Sequence, residues 1–332
     1  MRRYVTELVA ALGRRHPDLE IIFVEGGPSL PSNLGWALTG LPLGARRAQC
    51  DVFHAPAYTA PLWGARPLVV TLHDVSYARH PEWYPYRRDP LRRLFYRLSA
   101  RRADRVITDS RFSKGEIVNA YGIHPDRIDV VPLGVAPAFA TAPALPRELF
   151  VLHVGDLHPR RNLPLLLRAV IDMRRSHRHP SLAALSLTLV GRDLGVLETL
   201  RAQALHAGMP EALRHVESID DAELSLLYRR AGVFAYPSKY EGFGLPVLEA
   251  MASGAPVVCT SAGAVPEVAA GAAMVVSPDD DHGWRDAIEA ILIDPARASD
   301  FSERGRRRAA AFTWDATADM TLATYRKLAM PQ

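Results

Sequence analysis

The stretch Tyr236–Val258, YPSKYEGFGLPVLEAMASGAPVV, reads as strand, loop, helix, glycine turn and strand. Its first residues close an apolar run that begins at Val233, and its last residues belong to another that begins at Pro256. The loop Ser238–Leu245 is glycine-rich. Pro246 suits the first turn of a helix, where a missing N–H costs nothing. That helix is expected to run to about Ser253, with Gly254 ending it. Strand, helix and strand in this order mark a parallel sheet covered by helices. Gly242, Phe243, Gly244 and Leu245 would then present backbone N–H groups at a helix N-terminus. Unsatisfied amides and the helix dipole favour an anion there, and a diphosphate is the expected guest.

The same alternation extends outward. Leu68–Leu72, Arg105–Thr108, Phe150–Val154, Leu185–Val190, Val233–Tyr236 and Pro256–Thr260 are apolar runs of buried-strand type. Amphipathic helices are expected between them, for example over 163–177, 195–207 and 221–231. The class is therefore α/β with parallel sheets. Ala136–Pro146 is rich in proline and alanine and lacks hydrophobic periodicity, so it reads as a linker. The expected domains are 1–145 and a second beginning at 146.

The opening departs from this pattern. Residues 3–15 read as a helix, with Tyr4, Val5, Leu8 and Leu12 on one face, and Leu19–Val24 reads as a strand. A doubly wound domain normally opens with a strand and a glycine-rich turn. The expectation is either a start further upstream or a domain that has lost its first strand.

Bulk properties narrow the class. A length of 332 residues suits two domains, and 48% apolar with 23% charged residues is the balance of a globular protein. No apolar run approaches the length of a membrane span, and Glu7 interrupts any secretory leader. Cys50 and Cys259 lack metal-ligand spacing, which fits a reducing cytoplasm with both buried. The net charge of +4 rests almost wholly on arginine. It permits contact with nucleic acid or anionic lipid, but no nucleic-acid-binding motif is present.

Two carboxylates flank the anion site, Glu241 in the loop and Glu249 on the first turn of the helix. Carboxylates are good acceptors for vicinal hydroxyls of a sugar or ribose. Taken singly, Glu249 would complement the helix dipole and Glu241 would be a solvated loop charge. Taken with the glycines, they point to two rings held on either side of a phosphate.

This segment, E-x7-E enclosing GFGLP, resembles the donor-site signature of glycosyltransferase family 4. The likeness continues through Pro256–Val258 and Ser261–Val268, SAGAVPEV. Members are retaining enzymes of the GT-B fold, two Rossmann-like domains with parallel sheets facing across a cleft. The resemblance implies that Glu241 contacts donor-sugar hydroxyls and Glu249 the ribose. The amides of Phe243, Gly244 and Leu245 would meet the sugar and diphosphate, with Ser238 and Gly242 in the same donor site. Val154–Leu163, VGDLHPRRNL, resembles a family segment that usually ends in Arg-Lys-Asn. Arg161 stands where the family's diphosphate-binding lysine would be, and a guanidinium serves phosphate well. Gly155 and Arg160 join the expected donor site, as does Gly191 from Leu189–Asp193, LVGRD. Val216–Leu224 departs from the pattern where Glu217 or Ser218 replaces a usual glycine, which leaves the nucleotide base open. Asp220 and Asp221 are expected to cap the following helix.

Asp51–Val135 resembles the acceptor half of mannosyltransferase-like members, and the resemblance makes His73 important beside the donor sugar. Without it, His73 would read as a hydrogen-bonded structural histidine. Asp74 would orient the imidazole or cap the next turn. Ser110, Arg111 and Lys114 follow a strand; Ser110 suits a helix cap as well as a cleft wall. Residues 87–105 hold eight arginines around a stripe of Leu91, Leu94, Phe95 and Leu98. That pattern suits a docked helix with a solvated basic face, or contact with anionic lipid. Phe312–Leu328 resembles the family's last helix, which crosses back onto the first domain. This gives a donor domain over 146–311 and a returning helix over 312–332, with Trp314 and Tyr325 as packing residues.

The expected protein is thus a cytoplasmic glycosyltransferase, with residues 87–105 offering contact at the cytoplasmic membrane face. It moves a hexose, mannose from GDP-mannose by resemblance, from a nucleotide-sugar to a glycan or lipid-linked acceptor. The family works without bound metal or cofactor. A front-face reaction through an oxocarbenium-like state, with Arg161 and the loop amides meeting the leaving charge, is what the resemblance implies. Two other readings fit the same sequence. One is a truncated or non-catalytic nucleotide-binding homologue. The other is a GT-B epimerase or phosphorylase.

Overall fold

A computed structural model describes residues 2–24, 35–84, 89–140, 145–176 and 179–329. The chain divides into two compact units, Met1–Gly134 with Thr313–Gln332, and Val135–Phe312.

The first unit carries β1 (Phe53–Ala55), β2 (Leu68–Thr71), β3 (Arg105–Thr108) and β4 (Ile128–Val130). They form one parallel sheet in the order β1-β2-β3-β4. One face packs Leu68, Val70, Leu72 and Val106 against Ile117, Tyr121 and Tyr77. On the other face Val69, Ile107 and Val131 meet Tyr325 and Leu328 of the helix Trp314–Ala329. The chain's last helix thus belongs to the first unit. The helix Arg2–Arg15 lies along it, burying Tyr4, Leu8 and Leu12. Each buried leucine contributes about 2 kcal/mol, so a charge at Leu12 would detach the pair. Arg14 pairs with Asp315 at 2.9 Å and Arg15 with Asp319 at 2.8 Å on the solvent side.

Three expectations are corrected in the first unit. Leu19–Val24 forms no strand: these residues are irregular, and Ile22 and Phe23 are 49% and 60% exposed. A strand needs a neighbour to satisfy its N–H and C=O groups, and no described strand pairs with this segment. Of the apolar stripe on the basic helix Pro90–Arg102, Phe95 is buried, whereas Leu91, Leu94 and Leu98 are 65%, 50% and 42% exposed. The helix docks instead through Phe95, Ser99 and Ala100. Arg87 and Arg88 lie outside the described residues. Cys50 is only partly buried, since it follows Gln49 where the preceding helix ends in a left-handed turn.

The second unit carries β5 (Glu148–Val154), β6 (Ser186–Val190), β7 (Leu213–Val216), β8 (Ala231–Tyr236), β9 (Val257–Thr260) and β10 (Met274–Val276). All are parallel, in the order β10-β9-β8-β5-β6-β7. Val151, Leu187 and Val233 pack under Leu166, Val170 and Ile288, with Trp284 fully buried among them. The Trp284 indole N–H donates to the Ser277 carbonyl at 2.9 Å, which removes the penalty of burying it.

The unit boundary falls at Gly134/Val135, not near 145. The reason is Phe139, fully buried and edge-on to Tyr228 at 5.8 Å, which ties the start of the Pro/Ala-rich stretch to the second unit. Residues 141–144 of that stretch lie outside the described residues. Strand order reverses between β5 and β8, and ligands of open parallel sheets bind at the carboxyl ends of strands at such a point.

Candidate functional site

The carboxyl ends of β5, β6 and β8 gather the residues singled out from the sequence. Gly155 follows β5, Gly191 follows β6 and Ser238 lies two residues after β8. Gly155 has φ +135 and Gly191 φ +142. A Cβ on Gly191 would lie 2.3 Å from the Gly155 carbonyl oxygen, and one on Gly155 would lie 3.2 Å from the Arg161 guanidinium. Close backbone approach therefore requires glycine at 191, while at 155 it is the positive φ and the neighbouring guanidinium that favour it. Leu157 and Asp193 bridge the two loops beyond them.

Arg161 sits at the end of a short 3-10 turn, Pro159–Arg161, and is buried. Asn162 follows in a left-handed conformation with φ +55, turning the chain into the helix Leu163–Arg175. The Asn162 amide donates to Pro278 O at 2.8 Å and fixes that turn. Arg161 Nη1 donates to Tyr236 Oη, to Ser238 Oγ at 3.1 Å and to the Glu241 carboxylate. Its Nε is buried without a hydrogen-bond partner among the described residues. Burial would raise the Glu241 pKa, but Arg161 and then Arg160 outweigh it and hold the carboxyl below its usual range. Arg160 is half-buried, 3.9 Å from Glu241, and donates to Tyr240 O at 3.3 Å. Its backbone carbonyl accepts from Lys239 N at 2.8 Å, which ties the turn to the loop.

The loop Glu241–Gly244 is buried and is not a solvated coil. Ala264 N donates to Glu241 O at 2.9 Å, and Gly263, at φ +67, lets the two segments touch. Phe243 packs edge-on to Phe312 at 6.0 Å. Gly244, at φ +99, turns the chain into the helix Leu245–Ala252, which has no capping side chain. Glu249 stands on the second turn of that helix, not the first, because the helix begins at Leu245. It is buried and accepts from Tyr228 Oη at 3.3 Å, so it does not serve as a surface complement to the dipole. Asp220, with Glu223, caps the helix Asp221–Arg230 in a capping box, as expected of Asp220.

His73 belongs to the first unit, two residues past β2. Its Nδ1 hydrogen-bonds Asp109 Oδ2 at 2.8 Å, and Asp109 directly follows β3. Asp74 caps the following turn, accepting from Ser76 N at 2.9 Å and Ser76 Oγ at 2.8 Å. Ser110 caps the helix Arg111–Tyr121 through Ser113 N at 3.0 Å, and Lys114 donates to Ile128 O at 2.8 Å. Trp314 is buried, and Tyr325 Oη meets His54 Nδ1 at 2.6 Å.

Several residues of these networks were not singled out from the sequence. The sequence marks Tyr236 and Tyr228 only as parts of a strand and a helix, and Asp109 only as following a strand with Ser110, without a role. The signal for Asp109 was its position: a carboxylate at a strand's carboxyl end, one strand over from a histidine in the same place. His153, fully buried on β5 and stacked 5.4 Å from Tyr236, gave no signal beyond being polar within an apolar run.

Two known families match the chain. The family described as Glycosyl transferases group 1 matches residues 139–308, and that described as Glycosyltransferase Family 4 matches residues 1–139. The O-antigen chain mannosyltransferase B of Escherichia coli is 30% identical over 318 residues, covering 90% of this chain and 78% of that protein. The MMP alpha-(1→4)-mannosyltransferase of Mycolicibacterium hassiacum is 31% identical over 281 residues, covering 79% of this chain and 65% of that protein. Sucrose-phosphate synthase of Thermosynechococcus elongatus superposes with a TM-score of 0.74 at 24% identity, over 98% of this chain and 92% of that one. The last is a likeness of fold, and that fold is GT-B.

Proposed function

The chain belongs to glycosyltransferase family 4, and we propose that it transfers mannose from GDP-mannose, with retention, to a hydroxyl of a glycan or lipid-linked acceptor in polysaccharide biosynthesis. The observation that carries this reading is the buried cluster of Arg161, Ser238 and Glu241 beside the loop that leads to Glu249. A buried guanidinium with an unpaired Nε, next to Gly155 and Gly191 at positive φ, suits the oxygens of a diphosphate. Glu241 then meets the sugar hydroxyls and Glu249 the ribose. The choice of mannose rests on the two mannosyltransferase relatives.

In this reading the bond between the anomeric carbon and the diphosphate oxygen breaks as the acceptor oxygen bonds to the same face. The acceptor proton passes to the departing phosphate oxygen. Arg161 and the amides of Phe243, Gly244 and Leu245 meet the negative charge that builds there, which is the role a metal fills elsewhere. His73 is the first unit's candidate contact for a sugar hydroxyl.

The acceptor side includes a surface suited to a bilayer. Leu91, Leu94 and Leu98 are exposed on the helix that also carries Arg92, Arg93, Arg97 and Arg101. We infer that this helix lies in the interface of an anionic membrane at the cytoplasmic face. No described helix is long and apolar enough to cross a membrane.

Incubation with GDP-mannose and a membrane extract, without added metal, tests the reading. Mannose incorporated with its anomeric configuration kept, by NMR of the product, supports it. Consumption of UDP- or ADP-sugars alone sinks the donor assignment, and an inverted product sinks the mechanism.

A further inference from the structure

The register of β2 on β3 pairs Thr71 with Ile107, and the Leu72 N–H still donates to the Ile107 carbonyl at 2.8 Å. Two residues further on, this register sets His73 beside Asp109. The result is the 2.8 Å contact between Nδ1 and Oδ2. Asp109 is almost fully buried, and its Oδ1 has no hydrogen-bond partner among the described residues. The imidazole is the only hydrogen-bonding side chain given to that carboxylate among the described residues. A buried carboxylate without a partner is strongly disfavoured, so the pair is mutual. His73 Nε2 is also without a partner among the described residues, and Tyr4 holds the ring from the side, edge to face at 4.7 Å. One ring nitrogen is thus fixed by the protein, and the other is left over.

We propose that Asp109 is the positioning residue of the transfer reaction: its carboxylate accepts the hydrogen bond from His73 Nδ1–H, fixing the ring's orientation and tautomer so that Nε2 is presented to a sugar hydroxyl. The assignment rests on the function proposed above, and it adds a residue that the donor-site reading does not contain. A histidine held by one nitrogen presents the other in a single orientation, without the rotational loss of an unheld ring. In the neutral ring Nε2 is an acceptor for a sugar hydroxyl; with a second proton it becomes a donor.

The groups facing His73 are Tyr4 from the first helix, His54 from β1, Asp74 from the loop after β2 and Asp109 from the end of β3. Burial works against the imidazolium, but the Asp109 charge and hydrogen bond outweigh it, so the His73 pKa lies above its ordinary value. Burial likewise pushes the Asp109 carboxyl up, against the pull of His73. The two share protons as a pair.

Three measurements on the full chain test the assignment. Long-range ¹⁵N–¹H NMR should find the His73 proton on Nδ1; a ring protonated only on Nε2 overturns the proposal and needs no activity to be seen. Asp109→Asn should keep its melting temperature and nucleotide affinity, the latter belonging to the second unit, while kcat falls at least ~100-fold and its pH profile shifts. Activity within threefold of the unchanged protein overturns it. In a His73→Ala background, Asp109→Asn should cost nothing further, because Asp109 acts through His73. Losses that multiply would mean a separate structural role. Should the unchanged protein transfer no sugar at all, the proposed function fails, while the NMR result still decides what Asp109 does to His73.

Discussion

Arg161 donates to the carboxylate of Glu241 within the second unit, and each is less than a tenth exposed. The same guanidinium nitrogen also holds Tyr236 and Ser238. A cation is thus seated in the site by the side chains that surround it, ahead of any ligand. Removing one member of such a pair leaves an uncompensated buried charge.

Arg161→Ala is therefore expected to destabilise the second unit by about 3–5 kcal/mol. Arg161→Lys should lose less, because the charge remains although one ammonium cannot reproduce the fork. Urea denaturation followed by fluorescence reads both. Equal stability of Arg161→Ala and the unchanged protein would show that the pair holds nothing together.

Gly191→Ala should cost about 1–3 kcal/mol and weaken nucleotide binding. The new Cβ would meet the Gly155 carbonyl at 2.3 Å, at φ +142. Gly195→Ala is the matched comparison, since φ is +93 there but nothing lies within 4 Å of the added carbon. The excess loss at Gly191 measures the close approach of the two loops. Identical losses would assign the effect to backbone strain alone.

His153 gives the second unit a signature in acid. Burial, and then Arg161, lower its pKa from 6.5 to about 3, so the folded unit holds it neutral. A depressed pKa contributes stability that is present above 6.5 and lost as pH falls toward 3. The expected slope from this one group is about 1.4 kcal/mol per pH unit between roughly pH 6 and pH 4. Glu241, also held below its ordinary value, adds to the loss in more acid solution. Stability measured against pH for His153→Phe should be flatter by one proton, and an unchanged slope would show that the imidazole is not buried neutral.

The long central elements were legible because their patterns are long. β5, β6, β8 and β9 fall on the runs read as strands, and the helices 163–175, 197–206 and 221–230 lie within the ranges read as helical. β1, β4, β7 and β10 were not singled out, since three or four residues of partly exposed edge strand have no period to detect. Leu19–Val24 shows the converse: Ile21, Ile22 and Phe23 look like a strand locally, but a strand exists only with a partner. In the site, the glycines and Glu241 announced themselves by spacing. Tyr236 and Asp109 did not, because their roles come from which strands lie side by side, and strand order is not written in any local window.

Calorimetric titration with GDP, UDP and ADP, run on the unchanged protein and on Glu249→Ala, tests the central claim most directly. One nucleotide, GDP, should bind, and Glu249→Ala should weaken it by about 10- to 100-fold, the loss of a charged hydrogen bond to the ribose. A folded protein that binds none of the three, or a Glu249→Ala variant that binds GDP as tightly as the unchanged chain, would contradict a nucleotide-sugar site built on this loop.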